Sequence, residues 1–358
     1  MVIHVLDSSF NLVGVVDNFV SAIWRPAYYD IGDFELYVSA SPEVVALLQP
    51  DRYLVRDTDI SVTGGVATYK KVMIIKNIQL KTDVENGDYL TVTGRELKWL
   101  LHQRIVWGRY LLRDTVEYAL RRLIGANAVD PVEPTRVIPN MQHAEPKGYS
   151  GRIEVKISNK QLDEAVIELC KSYGYGWDIY ITDNKLTVDI YKGVDRSYNQ
   201  TERAYVVFSD SFDNLFETEY VYNSESYANM TLVGGEGEGD DRTYAYVNTD
   251  VSGLDRYEVF TDARDISQNL GNEEEALSYE EYLALLEERG RENLTGMTKT
   301  EGFTGEVLDV SFKYGVDFDL GDIVTVINEY GISKDVRVLS VIESQDETGV
   351  KVIPHFNI

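Results

Sequence analysis

The sequence predicts a mainly β protein with α/β insertions, in which two β-barrels are separated by a compact α/β piece. Three observations carry that prediction. Short runs of alternating apolar and polar residues, the signature of half-buried strands, fill residues 2–93 and return from Tyr205 onward. Between them the spacing shifts to the helical period, at residues 95–127 and again at 158–174. Tyrosine outnumbers phenylalanine 25 to 11, with 4 tryptophans, and tyrosine suits a pleated surface that buries its ring and keeps its hydroxyl wet.

Residues 1–94 read as a first small barrel or sandwich. Its strands are expected at 3–6, 12–16, 34–38, 53–56, 69–80 and 89–93, the last two joined at Asn86-Gly87, the strongest short hairpin signal. One short helix interrupts, with Ser41 as N-cap and Pro42 at the first helical position. Residues 95–150 form a helical segment and a Pro-rich excursion. Helices are expected at 95–101 and 115–124. The second opens on an Asp114-to-Glu117 capping-box spacing and carries Val116, Ala119, Leu120, Leu123 and Ile124 on one face. Pro131, Pro134, Pro139 and Pro146 then stiffen an ordered linker.

Residues 151–203 read as an α/β domain. Ser158 and Gln161 have capping-box spacing, Leu162, Ala165, Val166 and Leu169 form the buried stripe, and the helix ends near Tyr173-Gly174. A hairpin of 177–181 and 185–191 turns at Thr182-Asp183-Asn184. Residues 204–265 and 300–358 then make a second barrel, with strands expected at 206–209, 215–222, 227–233, 242–247, 257–261, 302–311, 323–328, 334–344 and 350–356. Residues 266–299 are an acidic helical insertion, capped by Ser278 and Glu281, with Tyr282, Leu283, Leu285 and Leu286 facing inward. The stretches 29–36 and 317–324 echo each other, each placing a Gly-Asp turn before a strand.

Composition limits the function. A chain of 358 residues that is 44% hydrophobic is globular and long enough for two or three domains. Its 34 basic and 60 acidic residues give a formal charge of −26, so its average surface repels duplex DNA and anionic bilayers. The single cysteine, Cys170, excludes an intramolecular disulfide or a cysteine cluster for zinc, and beside Leu169 and Val166 it reads as a packed thiol. The N-terminus MVIHVLDSSF lacks a signal-peptide pattern, and no apolar run approaches the roughly 20 residues of a membrane span. The expectation is a soluble protein made in a cytoplasm, with no membrane insertion.

Catalytic motifs are scarce. No two of His4, His102, His143 and His355 have the i,i+4 spacing of a helical zinc site, and Gly148-Tyr149-Ser150-Gly151 lacks the spacing of a nucleophile elbow. The run from Gly234 to Asp241 superficially resembles a phosphate loop, but its four carboxylates repel phosphate, and it reads as a mobile acidic hairpin tip. Asp317, Asp319 and Asp322 resemble part of a calcium loop but lack the distal glutamate, so they read as turn-forming. Glu273-Glu274-Glu275 and Glu280-Glu281 read as a solvated helix face. The expectation is therefore no enzyme, no catalytic residue, no cofactor and no metal. A two-carboxylate hydrolase stays open, because such pairs assemble in space.

The order of motifs resembles a known family. Trp24-Arg25 through Tyr29, Gly32-Asp33-Phe34-Glu35-Leu36, and Gly94-Arg95-Glu96-Leu97 with Leu100-Leu101 and Arg104 look like the N-terminal half of the siphophage tail-hub family. Further matches are Tyr173-Gly174-Tyr175-Gly176-Trp177, Tyr191 to Arg196, Phe208-Ser209 with Asn214-Leu215, Ala263 to Ile266, and Asp317 to Val326 followed by Arg337-Val338. That family is similar to the central baseplate hub of contractile phages and to the hub part of secretion spikes.

The resemblance implies a virion protein at the tail tip or baseplate. It would carry two tail-tube-like β-barrels plus smaller α/β domains, and three subunits would set six barrels in a ring. Its implied partners are two further copies in a homotrimer, the distal tail protein and tail tube, the tape-measure protein, and tip or fibre proteins, with DNA passing through unbound. Some members carry a C-terminal peptidase, lysozyme or fibre extension, which this sequence, ending at Ile358, is expected to lack. A rival expectation is a Tyr-rich tail-tip module that recognises a cell-wall glycan.

Overall fold

The computed structural model describes residues 1–82, 87–268, 277–307 and 311–357. It divides into two compact units, Met1–Glu219 with Phe303–Ile358, and Tyr220–Gly302.

In the larger unit seven antiparallel strands wrap one core. Their spatial order is Ser21–Arg25, Asp33–Ser39, Tyr89–Glu96, Met73–Lys81, Tyr53–Arg56, Ile3–Leu6 and Leu12–Val16. Alternation explains the wrapping, because Trp24, Phe34, Leu36, Val38, Leu90 and Val92 all turn to the same interior while their neighbours face out. Helix α1 (Pro42–Leu47) follows the predicted signal, the Ser41 hydroxyl accepting the Val44 N–H at 3.2 Å. Asn86 of the expected hairpin turn lies outside the described residues.

The mainly β prediction holds, and the two predicted β regions share one ladder. Ser21–Arg25 pairs along its other edge with Ser333–Asp346, placing Trp24 opposite Glu343. The 14-residue strand Ser333–Asp346 also pairs with Ile323–Ile327 and Gly349–Asn357, so a 13-stranded sheet runs through both ends of the chain. Among the described residues its main path runs open, from Leu215–Asn223 to Leu12–Val16. Phe208 joins the later strands, its ring meeting Phe318 edge-on at 5.2 Å and lying 6.0 Å from Phe356.

The α/β part stacks helix α2 (Val116–Ile124) and helix α3 (Leu162–Tyr173) on a five-stranded sheet ordered Met141–His143, Lys185–Tyr191, Gly176–Thr182, Val66–Tyr69 and Ile60–Thr63. Its core is continuous with Leu6, Val55 and Ile74 from the first β region. The predicted hairpin is present, with Asp183 and Asn184 both at positive φ, as a two-residue turn of matching twist requires. Gly174 ends α3 in the left-handed conformation, as its sequence position predicts.

Three local expectations fail for identifiable reasons. The helix expected over 95–101 is a strand to Glu96 followed by a 3₁₀ segment, Leu97–Gln103, because residues 89–96 hydrogen-bond to both neighbouring strands. The cap of α2 is Thr115 rather than Asp114, and Glu117 is buried, accepting the N–H groups of Lys147, Gly148 and Tyr149. Ser158 ends the strand Arg152–Ser158, so it forms no capping box, and Gln161 spends its amide on the His102 carbonyl. The Pro-rich excursion is ordered, and Met141–His143 within it joins the sheet in parallel with Lys185–Tyr191.

The smaller unit lays helix α4 (Tyr279–Thr295) on three strands ordered Tyr244–Val247, Met230–Gly234 and Glu258–Asp262. The predicted capping box of Ser278 and Glu281 is complete. Tyr282 and Leu286 are buried with Val233, Ala245 and Val247, whereas Leu283 and Leu285 are only half-buried.

Candidate functional site

Four stretches far apart in the sequence meet at the ring of Tyr28 in the larger unit. The ring is fully buried between two glycines: a Cβ on Gly176 would lie 2.0 Å from the ring, and one on Gly321 would lie 2.2 Å from it. Gly321 also has φ +87, which alone favours glycine. Gly193 completes the contact, since its Cβ would fall 1.9 Å from the Gly321 carbonyl carbon. The Tyr28 hydroxyl donates to the Gly174 carbonyl and accepts the Gly193 N–H, both at 3.2 Å, and burial pushes this phenol far above its ordinary range.

Polar groups extend the joint. Arg337 donates to the Gly321 carbonyl at 2.6 Å, and its guanidinium lies 5.7 Å from the Tyr28 ring centre. The buried Asp322 carboxylate accepts the Val194 N–H at 2.8 Å, Arg196 Nε at 2.9 Å and the Asp319 N–H at 3.1 Å. In this set the buried donors and acceptors bond one another, so the arrangement ties four backbone segments together.

Beneath the segment 27–32 sits a buried charge cluster. Lys98, 1% exposed, donates to the Ala27 carbonyl and, at 3.2 Å, to that of Asp30. Glu96 accepts the Gly32 N–H at 2.7 Å and stands 3.5 Å from Lys98. Burial raises the Glu96 carboxyl above its ordinary value, opposed by Lys98, and burial raises that of Asp178 too. Trp177 donates to the Tyr29 carbonyl at 2.7 Å. A second tie links early and late strands, Arg56 bonding Asp59 and Glu343 at 2.6 Å each.

The residues singled out in the sequence do not converge on a reactive site. His4 lies on Ile3–Leu6, His102 on the 3₁₀ segment, His143 on Met141–His143 and His355 on Gly349–Asn357. His102 Nδ1 meets Asp163 at 2.9 Å, tying that segment to the start of α3. Burial, then Arg121, push His143 down to about 4, while burial, then Arg25, lower His355. Cys170 is buried and its thiol raised by that burial.

Asp317 accepts the Lys313 N–H in a turn, and among the described residues no three metal-ligating side chains cluster. The two echoing turns both bond the strand beside the one they open, but in opposite senses: the Gly32 carbonyl accepts the Glu96 N–H, whereas the Gly321 N–H donates to the Val338 carbonyl. The run Gly234–Asp241 lies at the expected hairpin tip, between the antiparallel strands Met230–Gly234 and Tyr244–Val247 with Glu236, Glu238 and Asp241 exposed, and its first residues are pinned. Gly234 and Gly235 are buried, Tyr282 takes the Glu236 N–H at 2.6 Å, and Arg242 donates to the carbonyls of both glycines, because the run packs on α4. Glu280 and Glu281 are exposed, and Glu273-Glu274-Glu275 lie outside the described residues.

This whole-chain architecture is that of solved phage tail proteins. The 43 kDa tail protein of prophage MuSo2 from Shewanella oneidensis superposes with a TM-score of 0.57 at 12% identity, covering 99% of this chain and 98% of that one. The tail protein from Neisseria meningitidis MC58 gives 0.56 at 14% identity, covering 99% and 96%. Prophage tail protein gp18 from Listeria monocytogenes EGD-e gives 0.50 at 13%, covering 99% and 94%. No curated protein matches the sequence. The family described as Siphovirus ReqiPepy6 Gp37-like protein matches residues 2–356, and the chain belongs to it, which bears out the resemblance to tail proteins read from the motifs.

Proposed function

We propose that this chain is the structural hub of a phage tail tip or baseplate, acting as a homotrimeric ring that joins the tail tube to the tip and lets DNA pass. The observation that carries this reading is the family match over residues 2–356 together with a tail-protein fold over 99% of the chain. Its neighbours in the virion would be the distal tail protein and tube, the tape-measure protein, and tip or fibre proteins. Residues 1–94 and the pair 204–265 and 300–358 would supply the tube-like parts, with 95–150, 151–203 and 266–299 carried on them. A joint as rigid as that at Tyr28 suits a part that bears load.

The acid is unevenly placed, since residues 204–358 hold 33 of the 60 acidic side chains and 10 of the 34 basic ones. Carboxylates facing the ring's lumen would give DNA phosphates no partner to stick to. Electron microscopy of the purified protein tests the hub: three-lobed rings with a central hole are expected. A persistent monomer at high concentration, also with its tail neighbours present, overturns it.

A second reading rests on the smaller unit. On the sheet face away from α4, Leu232 stands opposite both Tyr246 and Phe260, whose rings are about half exposed, with Tyr244 beside them. Such rings stack on sugar faces, so this surface would recognise a cell-wall glycan. A glycan array separates the two readings, because a pure hub binds none. In either reading the protein is no enzyme, and zymography on host cell wall checks that: lysis abolished by replacing one carboxylate would reverse it.

A further inference from the structure

Residues 95–203 differ from the rest of this acidic chain, holding 17 basic and 15 acidic side chains. Within them one surface gathers unpaired cations around an exposed tryptophan. Trp107 is 59% and Ile105 51% exposed, and Val132 and Val137 are exposed nearby in sequence to Arg136. The Arg136 guanidinium lies 4.7 Å from the Trp107 ring centre. Arg136 also donates to the Ile105 carbonyl at 2.6 Å, and Arg104 donates to the carbonyls of Arg136 at 2.6 Å and Val137 at 3.3 Å. Among the described residues no carboxylate pairs with Arg104 or Arg136, although they repel each other; the nearby Glu133 takes the Thr135 hydroxyl instead.

The surface is also built in advance. Val106, fully buried, anchors the strip through backbone bonds with Lys160 and Asn159. The Trp107 backbone N–H donates to the side-chain oxygen of buried Asn127 at 2.9 Å, and the same oxygen accepts Arg136 at 3.3 Å. Gly108, at φ +96, turns the chain immediately after the tryptophan. An exposed Trp on a held backbone, with two arginines oriented by backbone carbonyls, has the composition of a binding hot spot, and ordering that backbone before binding lowers the entropy cost of association.

We propose that Trp107, Arg104 and Arg136 form a docking surface for acidic side chains of a second copy of this chain. Charge complementarity argues for that occupant, since each copy brings 33 carboxylates in residues 204–358. Apolar Ile105 and Trp107 favour a protein surface over a phosphate backbone. The inference rests on the ring reading above and names one of its contact surfaces.

Analytical ultracentrifugation of the full chain tests it, at low and high salt, with wild type, Trp107→Ala, Arg104→Glu/Arg136→Glu and Arg136→Lys. Wild type is expected to assemble, with Trp107→Ala and the charge-reversed pair each weakening assembly about tenfold or more. The charge-reversed pair should lose most at low salt, and Arg136→Lys least. Circular dichroism distinguishes a misfolded variant from a folded monomer. Unchanged assembly in the folded variants overturns the surface and leaves the ring standing; wild type that stays monomeric overturns both. Duplex DNA retained by wild type and released by the charge-reversed pair would make nucleic acid the occupant and overturn the proposal.

Discussion

In the larger unit a Cβ on Gly193 would meet the Gly321 backbone at 1.9 Å, whereas in the smaller unit one on Gly290 would meet methyl groups of Val233, Thr231 and Val247 at 2.6–2.9 Å. A methyl can rotate aside; a backbone carbonyl held by Arg337 cannot. Charge shows the same contrast. The larger unit buries Lys98, Glu96 and Arg56, while the ion pairs of the smaller unit, such as Arg264 with Asp262 and Arg289 with Asp265, lie on its surface. The larger unit is thus held by contacts between distant parts of the chain, such as Gly193 with Gly321 and Arg56 with Glu343, and the smaller by one helix lying on three strands. Their responses to substitution should differ in size accordingly.

The largest effect is expected at Lys98. Replacing it by Met leaves the buried Glu96 and Asp178 without their cation, and breaking such a cluster costs about 3–5 kcal/mol. Urea denaturation of the full chain should show this loss in the larger unit. The cluster also carries a pH signature. Because burial raises the Glu96 carboxyl, the folded state keeps that proton to higher pH than the unfolded chain, whose carboxyl titrates near about 4.3. The stability this confers is complete below that pH and is lost as pH rises through the raised value. Glu96→Gln should flatten that decline, and an equal slope in both proteins would show that Glu96 is not its source.

Gly193→Ala ranks next, at about 3 kcal/mol, because the added methyl must push apart two backbones. A loss below about 1 kcal/mol would mean that the joint at Tyr28 can open to admit it. The paired test, Gly290→Ala, should cost about 1 kcal/mol, the crowding against side chains being offset by alanine's better helix propensity.

These contrasts also explain what was legible beforehand. The strands and α4 were readable because alternation and the Ser278 cap are local signals, and Tyr28, Gly176, Gly193 and Gly321 all fall in stretches that carried the family resemblance. Their meeting was not readable, since proximity of Gly193 to Gly321 is a property of the folded chain and glycine has several local uses. The burial of Lys98 and Glu96 was hidden for a different reason: in sequence a charged side chain reads as solvated, and only the pairing of Tyr89–Glu96 and the 3₁₀ segment Leu97–Gln103 that follows it turn these two inward. Arg95 to Leu101 reads as a helix in sequence because a 3₁₀ segment repeats apolar residues at nearly the same spacing.

The smallest effect is expected in the smaller unit. The Ser278 hydroxyl accepts the Glu281 N–H at 3.2 Å, and the Glu281 carboxylate accepts the Ser278 N–H at 3.0 Å. Those bonds, to backbone first and then to the hydroxyl, hold the Glu281 carboxyl below its usual range. Ser278→Ala removes one half of the box and should cost about 1 kcal/mol. The helix has little else at this end, where Tyr279, Glu280 and Glu281 are exposed and the first buried contact is Tyr282. Fraying should therefore reach the Tyr282 hydroxyl, which holds the Glu236 N–H. Hydrogen exchange at Glu236 reads this directly. Faster exchange there, with protection of Gly32 and Val194 in the larger unit unchanged, is the expected outcome; slower or equal exchange would show that packing on Leu286 and Gly290, rather than the cap, fixes the start of α4.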